Sequence, residues 1–547
     1  MELKNPILHR ELRQGLLGRQ MFVTQWLFVT VMALVVWMAW PRTPKFQAHQ
    51  LQMSEQLFSL FWGGLYFTVS VCAAALSAVA ITREKETGCF DLLCTTGLSP
   101  SRLLMGKFLS VVGFLLMLVI SSIPISATCY LLGGLNWLHL LVEYLDLVAA
   151  VFLYGGIGLA CSSLMERNHR ALSLAFVITL PLAAWSISSQ EAKHWIEVIG
   201  LMILIVRAQT IVERVRRPRE EHLPPITTGE SIEITVDTDS VMDRILVPHR
   251  AHKPFADDKN PVYEREWAEE SGAEGRTWWH FLLRFNIGLA VLMTIFLLFA
   301  RAWLQDYAQH YAPGQYETLL THYADLAQLW FFGYLIVVSV LLGPAQSANI
   351  ISKERERQTF DLLVTTLLRP HEIVLGKWRL SLRSSFHLLV LLVLPLLPVL
   401  VLIFFGKTSS LSIGGMILVA AYGLVVVAAT LVTLNTLGVF CSLVCRTGAH
   451  ALSVAYTIAI GWFVGPFALY YVLTRFSELP SMTYAWTTYA SPFLSFFAIS
   501  GSKFFDKVVQ FDQPLVLTLG YLGLTALVNL LLLAVMVAKF DRFWKRA

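Results

Sequence analysis

Charge is what this sequence has least of. Only 14% of its 547 residues are Asp, Glu, Lys or Arg, against roughly 25% in a soluble globular protein, and that shortage excludes most readings as a soluble enzyme. A formal net charge of +5 is too weak a surplus over this length for a nucleic-acid binder. Cysteine is also sparse. Cys72, Cys89, Cys94, Cys129, Cys161, Cys441 and Cys445 fall in apolar runs or in segments read below as cytosolic, so no disulfide framework is implied. Cys441 and Cys445 are four apart on an expected helix, yet no further ligand at metal spacing accompanies them. H-E-x-x-H, G-x-S-x-G and paired mid-span carboxylates are missing, which leaves little for a membrane-embedded enzyme.

What remains is apolar sequence, 56% of the chain, gathered into blocks of about 20 residues, each able to cross a ~30 Å hydrocarbon core as a helix. The blocks predict twelve spans, near 21–40, 57–81, 108–132, 138–163, 171–187, 195–211, 278–302, 328–351, 384–405, 413–440, 450–473 and 515–538. The expected fold class is therefore an all-α polytopic membrane protein. The first span follows twenty polar and basic residues without a small-residue cleavage site, so it reads as an anchor and not a secretory signal. One set of alternate loops carries 33 Lys and Arg and the other eight. By the positive-inside rule this puts both termini, 82–107, 207–277 and 352–383 in the cytosol.

The chain also repeats itself. Residues 81–107, ITREKETGCFDLLCTTGLSPSRLLMGK, align without a gap on 351–377, ISKERERQTFDLLVTTLLRPHEIVLGK, at an offset of 270 with 13 identities in 27 positions. NPILHRE at Asn5–Glu11 matches NPVYERE at Asn260–Glu266. Gly158, Cys161, Ser162, Ala171, Leu172 and Ser173 match Gly438, Cys441, Ser442, Ala451, Leu452 and Ser453. Six spans per copy is an even number, so the two six-helix repeats should be parallel, related by an axis along the membrane normal. The expected domains are 1–211, a cytosolic linker 212–256, and 257–547.

In each copy the charged stretch follows directly on the second span, whose helix should run on beyond the membrane before turning. Thr87–Leu93 and Arg357–Leu363 read as short amphipathic pieces. Pro100 and Pro370 mark new helix starts, because proline's missing N–H costs nothing in the first turn. Lys107 and Lys377 would then stand where the third helix enters the headgroups, their ammonium groups snorkelling to water. Each half would thus present a helix-turn-helix elbow along the cytosolic membrane surface; the alternative is a well-anchored loop.

These segments resemble the permease subunits of type-2 ATP-binding-cassette transporters, over both halves and excluding 212–256. The resemblance implies a pair of six-helix permease domains, here fused, each with an N-terminal connecting helix and a coupling helix docked on an ATPase subunit. It assigns to the ATPase-coupling surface Glu84, Glu86, Phe90, Asp91, Leu93, Thr95 and Thr96, and in the second copy Glu354, Glu356, Phe360, Asp361, Leu363, Thr365 and Thr366. Phe90, Leu93, Phe360 and Leu363 are the candidate apolar anchors in a partner's grooves, unless they pack under the elbow against their own chain. Arg10, Glu11, Arg265 and Glu266 stand in the lead-in helices, and ion pairs from Arg10 to Glu84 and from Arg265 to Glu354 are expected. Departures are few. Gly88-Cys89 stands where the second copy has Gln358-Thr359, and Tyr263-Glu264 replaces Leu8-His9.

No G-x-x-x-x-G-K-[ST] loop is present. Gly106-Lys107 is followed by Phe108 and Gly376-Lys377 by Trp378, so no cofactor is expected in this chain, and ATP with magnesium belongs to a partner. The reading is an ABC permease subunit of a bacterial inner membrane, with two copies of an ATP-binding subunit as partners; export is implied only by the resemblance, and the substrate is not identified. A self-sufficient secondary transporter is the alternative, and would carry ionisable groups or broken helices at mid-membrane.

Other features are weaker. Glu143 and Asp146, three apart near the outer end of the fourth span, either line a polar entrance or are wet at the interface. His310, His322 and Asp325 share an outer loop but contain no close-spaced ligand pair, so no metal site is assigned. Pro124 and its counterparts Pro395 and Pro398 suggest kinks. Residues 489–501 are too short to span and read as re-entrant or interfacial.

Overall fold

A computed structural model of the chain describes residues 6–16, 49–86, 99–131, 137–188, 190–216, 260–270, 273–311, 316–356, 368–394, 413–476 and 514–538, with short pieces between them such as 88–90 and 358–359. The expected linker beyond Arg216, most of the first span near 21–40 and nearly all of 477–513 lie outside the described residues. All described regular structure is helical. The chain divides into two units, Met1–Ile232 and Glu233–Ala547.

The first unit contains α1 (Pro6–Leu16), α2 (His49–Glu86), α3 (Pro100–Leu131), α4 (Trp137–Leu164), α5 (Asn168–Ser188) and α6 (Gln190–Arg216). Its axis is α2. Along one face α2 buries Phe61, Leu65 and Val69, then switches to the small residues Ala73, Ala74, Ser77 and Ala78. Small side chains let helix backbones approach closely, which matters in lipid, where burial of apolar surface drives no association. α4 exploits that stretch: a Cβ on Gly158 would stand 2.4 Å from the Ala74 carbonyl oxygen, so no larger residue fits. Farther along, Trp62, Tyr66, Leu115, Leu147, Val151 and Tyr154 close the core. α1 lies on α3, burying Ile7 and Leu8.

The second unit contains α7 (Pro261–Glu270), α8 (Ala273–Tyr311), α9 (Tyr316–Ser347), α10 (Ser352–Glu356), α11 (Pro370–Val393), α12 (Ile413–Val444), α13 (Gly448–Phe476) and α14 (Pro514–Ala538). α9 and α12 are its centre. The close approach recurs, since a Cβ on Gly438 of α12 would overlap the Ser347 hydroxyl of α9. Lead-in helix α7 sets Val262 into a cluster with Ile351, Ile373, Val374, Val439, Leu443 and Met536. α3 continues through Pro124, and its counterpart α11 is described as far as Leu394, so the kink expected at Pro395 lies outside the described residues.

Six of the described helices are long and apolar enough to cross a membrane: Phe61–Glu86, Pro100–Ala127, Trp137–Leu164, Phe331–Glu356, Ala420–Val444 and Leu519–Ala538. Met202, Ile205 and Val206 on α6 and Leu527, Leu530 and Leu531 on α14 are exposed, an arrangement that suits lipid and not water. This is an integral membrane protein.

Candidate functional site

The repeated motif can be read residue by residue at the end of α2. Gly88 has φ +71°, a left-handed conformation that costs glycine little. Its N–H donates to the Lys85 carbonyl (3.3 Å) and the Cys89 N–H to the Glu84 carbonyl (3.1 Å). These two bonds make a Schellman ending, which satisfies carbonyls that the helix cannot. At the same place in the second copy Gln358 has φ +58°, with Gln358 N–H to Arg355 O (3.0 Å) and Thr359 N–H to Glu354 O (2.9 Å). The turn geometry survives the loss of its glycine.

Three charged residues before that turn each have a separate task. Glu86 accepts from the Asn168 backbone N–H (2.9 Å) and side-chain amide (2.7 Å), closing the N-terminus of α5. Glu356 accepts from the Gly448 N–H at the start of α13 (2.9 Å). A carboxylate there meets unpaired donors and the positive end of the helix dipole. Lys85 donates to the Ser163 and Met165 carbonyls at the end of α4, both at 3.0 Å, and Arg355 to the Cys445 carbonyl at 2.9 Å. Just upstream, the Ser162 hydroxyl accepts from the Ile81 and Thr82 N–H groups (3.0 and 3.1 Å), and Ser442 does the same for Ile351 and Ser352 (2.9 Å each).

The third charge meets a lysine that sequence reasoning misplaced. Lys107 was expected to snorkel; instead its side chain is 6% exposed and its ammonium lies 2.6 Å from Glu84 Oε1. Glu11 of α1 is 3.7 Å from the same ammonium, and Arg10 is 3.7 Å from Glu84 and 2.9 Å from Glu11. Arg10 and Glu84 are thus in one cluster, but the close partner of Glu84 is Lys107. In the second copy Lys377, 1% exposed, pairs with Glu266 of α7 and lies 3.4 Å from Glu354; Arg265 is exposed. A buried lysine is the near partner of Glu84 and lies close to Glu354, and the exposed Arg265 also acts on Glu354 through its charge. Repetition of Gly-Lys at the end of the aligned block was the signal available in the sequence.

Burial alone would raise the Glu11 carboxyl, but the hydrogen bond from Arg10 and the charges of Lys107 and Arg10 hold it below its ordinary value. A depressed carboxylate favours the docked helix above the usual carboxylate range and loses that contribution as pH falls through the lowered value.

Of the remaining expected coupling residues, Phe90 is described and half buried against Ile81 and Leu104, with the Lys85 ammonium 6.0 Å above its ring. Phe90 therefore packs against α2 and α3 of its own chain, while neighbouring Leu92 is 69% exposed. Asp91, Leu93, Thr95, Thr96, Phe360, Asp361, Leu363, Thr365 and Thr366 lie outside the described residues. Glu84, Glu86, Glu354 and Glu356 serve helix ends and buried lysines. Glu143 and Asp146 are not part of this site: they are buried near the first turns of α4, at the opposite end from the elbow.

A family model described as ABC-2 family transporter protein matches residues 41–206, and a second model with the same description matches 237–542. No curated protein matches the chain. Both matched families are membrane domains, one in each unit.

Proposed function

The chain belongs to the ABC-2 family of transporter proteins, with two of its membrane domains in one polypeptide, and from that premise we propose that it is the permease of an ATP-driven exporter whose ATP-binding subunits dock on the two elbows. In this reading the twelve spans form two parallel six-helix repeats, and the elbows, both termini and 207–277 face the cytosol of a bacterial inner membrane. ATP and magnesium are held by two partner subunits, since this chain has no phosphate-binding loop.

One observation carries the reading: the same set of anchors secures the helix end before each elbow. Through Glu84, Lys85, Glu86 and Ser162 the end of α2 is tied to α3, α4 and α5, and the counterparts Glu354, Arg355, Glu356 and Ser442 tie the second elbow to α11, α12 and α13. A push at either elbow would therefore reach several helices together, as a transition between inward-facing and outward-facing arrangements requires. The inward turn of Phe90 shifts the expected partner contact to Leu92 and, by the repeat, Leu362.

The test is co-expression with the cognate ATP-binding subunit. Leu92→Asp together with Leu362→Asp should yield a folded, membrane-inserted chain that no longer copurifies with that subunit. If the double variant still copurifies and still stimulates ATP hydrolysis, the elbows are not the coupling surface.

A further inference from the structure

At the end of the first unit opposite the elbow, α4 and α6 bury an unusual amount of charge. Glu143, Asp146, Lys193 and Glu197 are each at most 9% exposed. Lys193 Nζ lies 2.6 Å from Glu143 Oε2 and 2.9 Å from Asp146 Oδ2. The Tyr66 hydroxyl donates to Glu197 Oε1 at 2.9 Å. His139 Nε2 is 3.9 Å from Glu143 Oε1, and His194 Nδ1 is 3.3 Å from Asp146 Oδ1. Three buried carboxylates thus face a single ammonium, and buried charge in a membrane protein is costly unless balanced.

Three of these positions have apolar or small counterparts in the second unit. Extending the 280-residue offset of Gly158–Gly438 and Ser162–Ser442 along the same helices puts Gly423 and Val426 of α12 at the positions of Glu143 and Asp146. At the 270-residue offset Ile336 of α9 replaces Tyr66. The second unit packs α9 against α12 without a Tyr, Glu or Asp at these positions, so the first unit's charge there calls for a separate explanation.

We propose that Asp146, His194 and Glu197 form a binding site for a divalent transition-metal ion of the zinc class. One ligand atom from each of the three lies within 4.8 Å of the others. His194 and Glu197 are three apart on α6 and so share a face, and Asp146 comes from the packed helix α4, the way bundle metal sites are assembled. Imidazole with carboxylates suits zinc and its neighbours. The 3.3 Å between Asp146 Oδ1 and His194 Nδ1 matches the roughly 3.3 Å edge of a tetrahedron with ~2.0 Å bonds. Asp146 divides its work: Oδ1 faces His194, while Oδ2 lies against Lys193, which also holds Glu143 out of the ligand set. The His194 side chain is 50% exposed, leaving a route from water and room for a solvent ligand.

The site is tested on the full chain in lipid nanodiscs after stripping with a chelator. Co²⁺ added stepwise should give visible ligand-field absorption that saturates at one equivalent and is abolished by Zn²⁺. His194→Ala truncates a half-exposed side chain and Glu197→Gln is isosteric, so both variants should keep the helical signal and elution volume of the parent. Each should weaken Co²⁺ binding at least about tenfold, the scale on which even supporting residues act, whereas His310→Ala and His322→Ala should leave it unchanged. Absence of one-equivalent Co²⁺ binding in the parent, or its persistence in the folded His194→Ala and Glu197→Gln variants, would overturn the assignment.

Discussion

Lys107 shows how much depends on a single buried ammonium. Its side chain is 6% exposed and faces Glu84, itself 14% exposed, with Glu11 close by. Replacing one member of a buried pair strands the other in an apolar setting, a loss of about 3–5 kcal/mol, whereas removing both is far milder. Lys107→Met should therefore lower the thermal stability of the purified chain sharply, and Lys107→Met with Glu84→Gln should recover most of the loss. Equal instability of single and double variants would mean that packing of the lysine stem, not charge, is what matters there. The sequence already held both partners, repeated as Glu354 and Lys377, but three-dimensional pairing is not visible in a linear pattern. The sequence points to Arg10 because it stands in the repeated lead-in segment and Glu84 where the helix leaves the membrane; in the structure the lysine on α3 lies closer.

Helix ends are the element at which the two copies can be compared most closely. Both stop in a left-handed residue, Gly88 in one and Gln358 in the other, with the same pair of backbone bonds. An L-residue pays roughly 1–2 kcal/mol in that conformation, and glycine does not. Gln358→Gly should stabilise the second unit by about 1 kcal/mol and Gly88→Gln should destabilise the first by a similar amount, measured as opposite shifts in denaturant-induced unfolding. Shifts of the same sign would show that the side chain of Gln358 contributes something its backbone conformation does not reveal. At this scale the sequence was highly legible. Pro100 and Pro370 start helices as expected and α2 runs on to Glu86, because apolar runs and proline act locally; in the second copy a turn at 348–351 separates α9 from α10, which reaches Glu356. What escaped was the task of the intervening charges: the ends of α4, α5, α12 and α13 that they satisfy are about 80–90 residues away in the chain.

The proposed topology across the membrane rests on the same contacts, taken in each unit by itself. Within each unit the lead-in helix and the elbow share one side, because Glu11 of α1 and Glu84 of α2 meet on Lys107, and Glu266 of α7 and Glu354 meet on Lys377. In the proposed reading, the 33 Lys and Arg of one loop set against eight in the other select the cytosol for that side. Single cysteines placed at Asp237 or Gln358 in a chain freed of its native cysteines should resist a membrane-impermeant maleimide in sealed cells, while cysteines at Gln315 or Ser481 should react. Lysis should make the first pair reactive, which separates shielding by the bilayer from burial in protein. Gln358 carries the greatest weight, since it is exposed on the elbow and sits one turn from Glu354. Labelling there before lysis would put an elbow outside, where no ATP-binding subunit could reach it, and would remove the basis of the coupling proposal together with the topology.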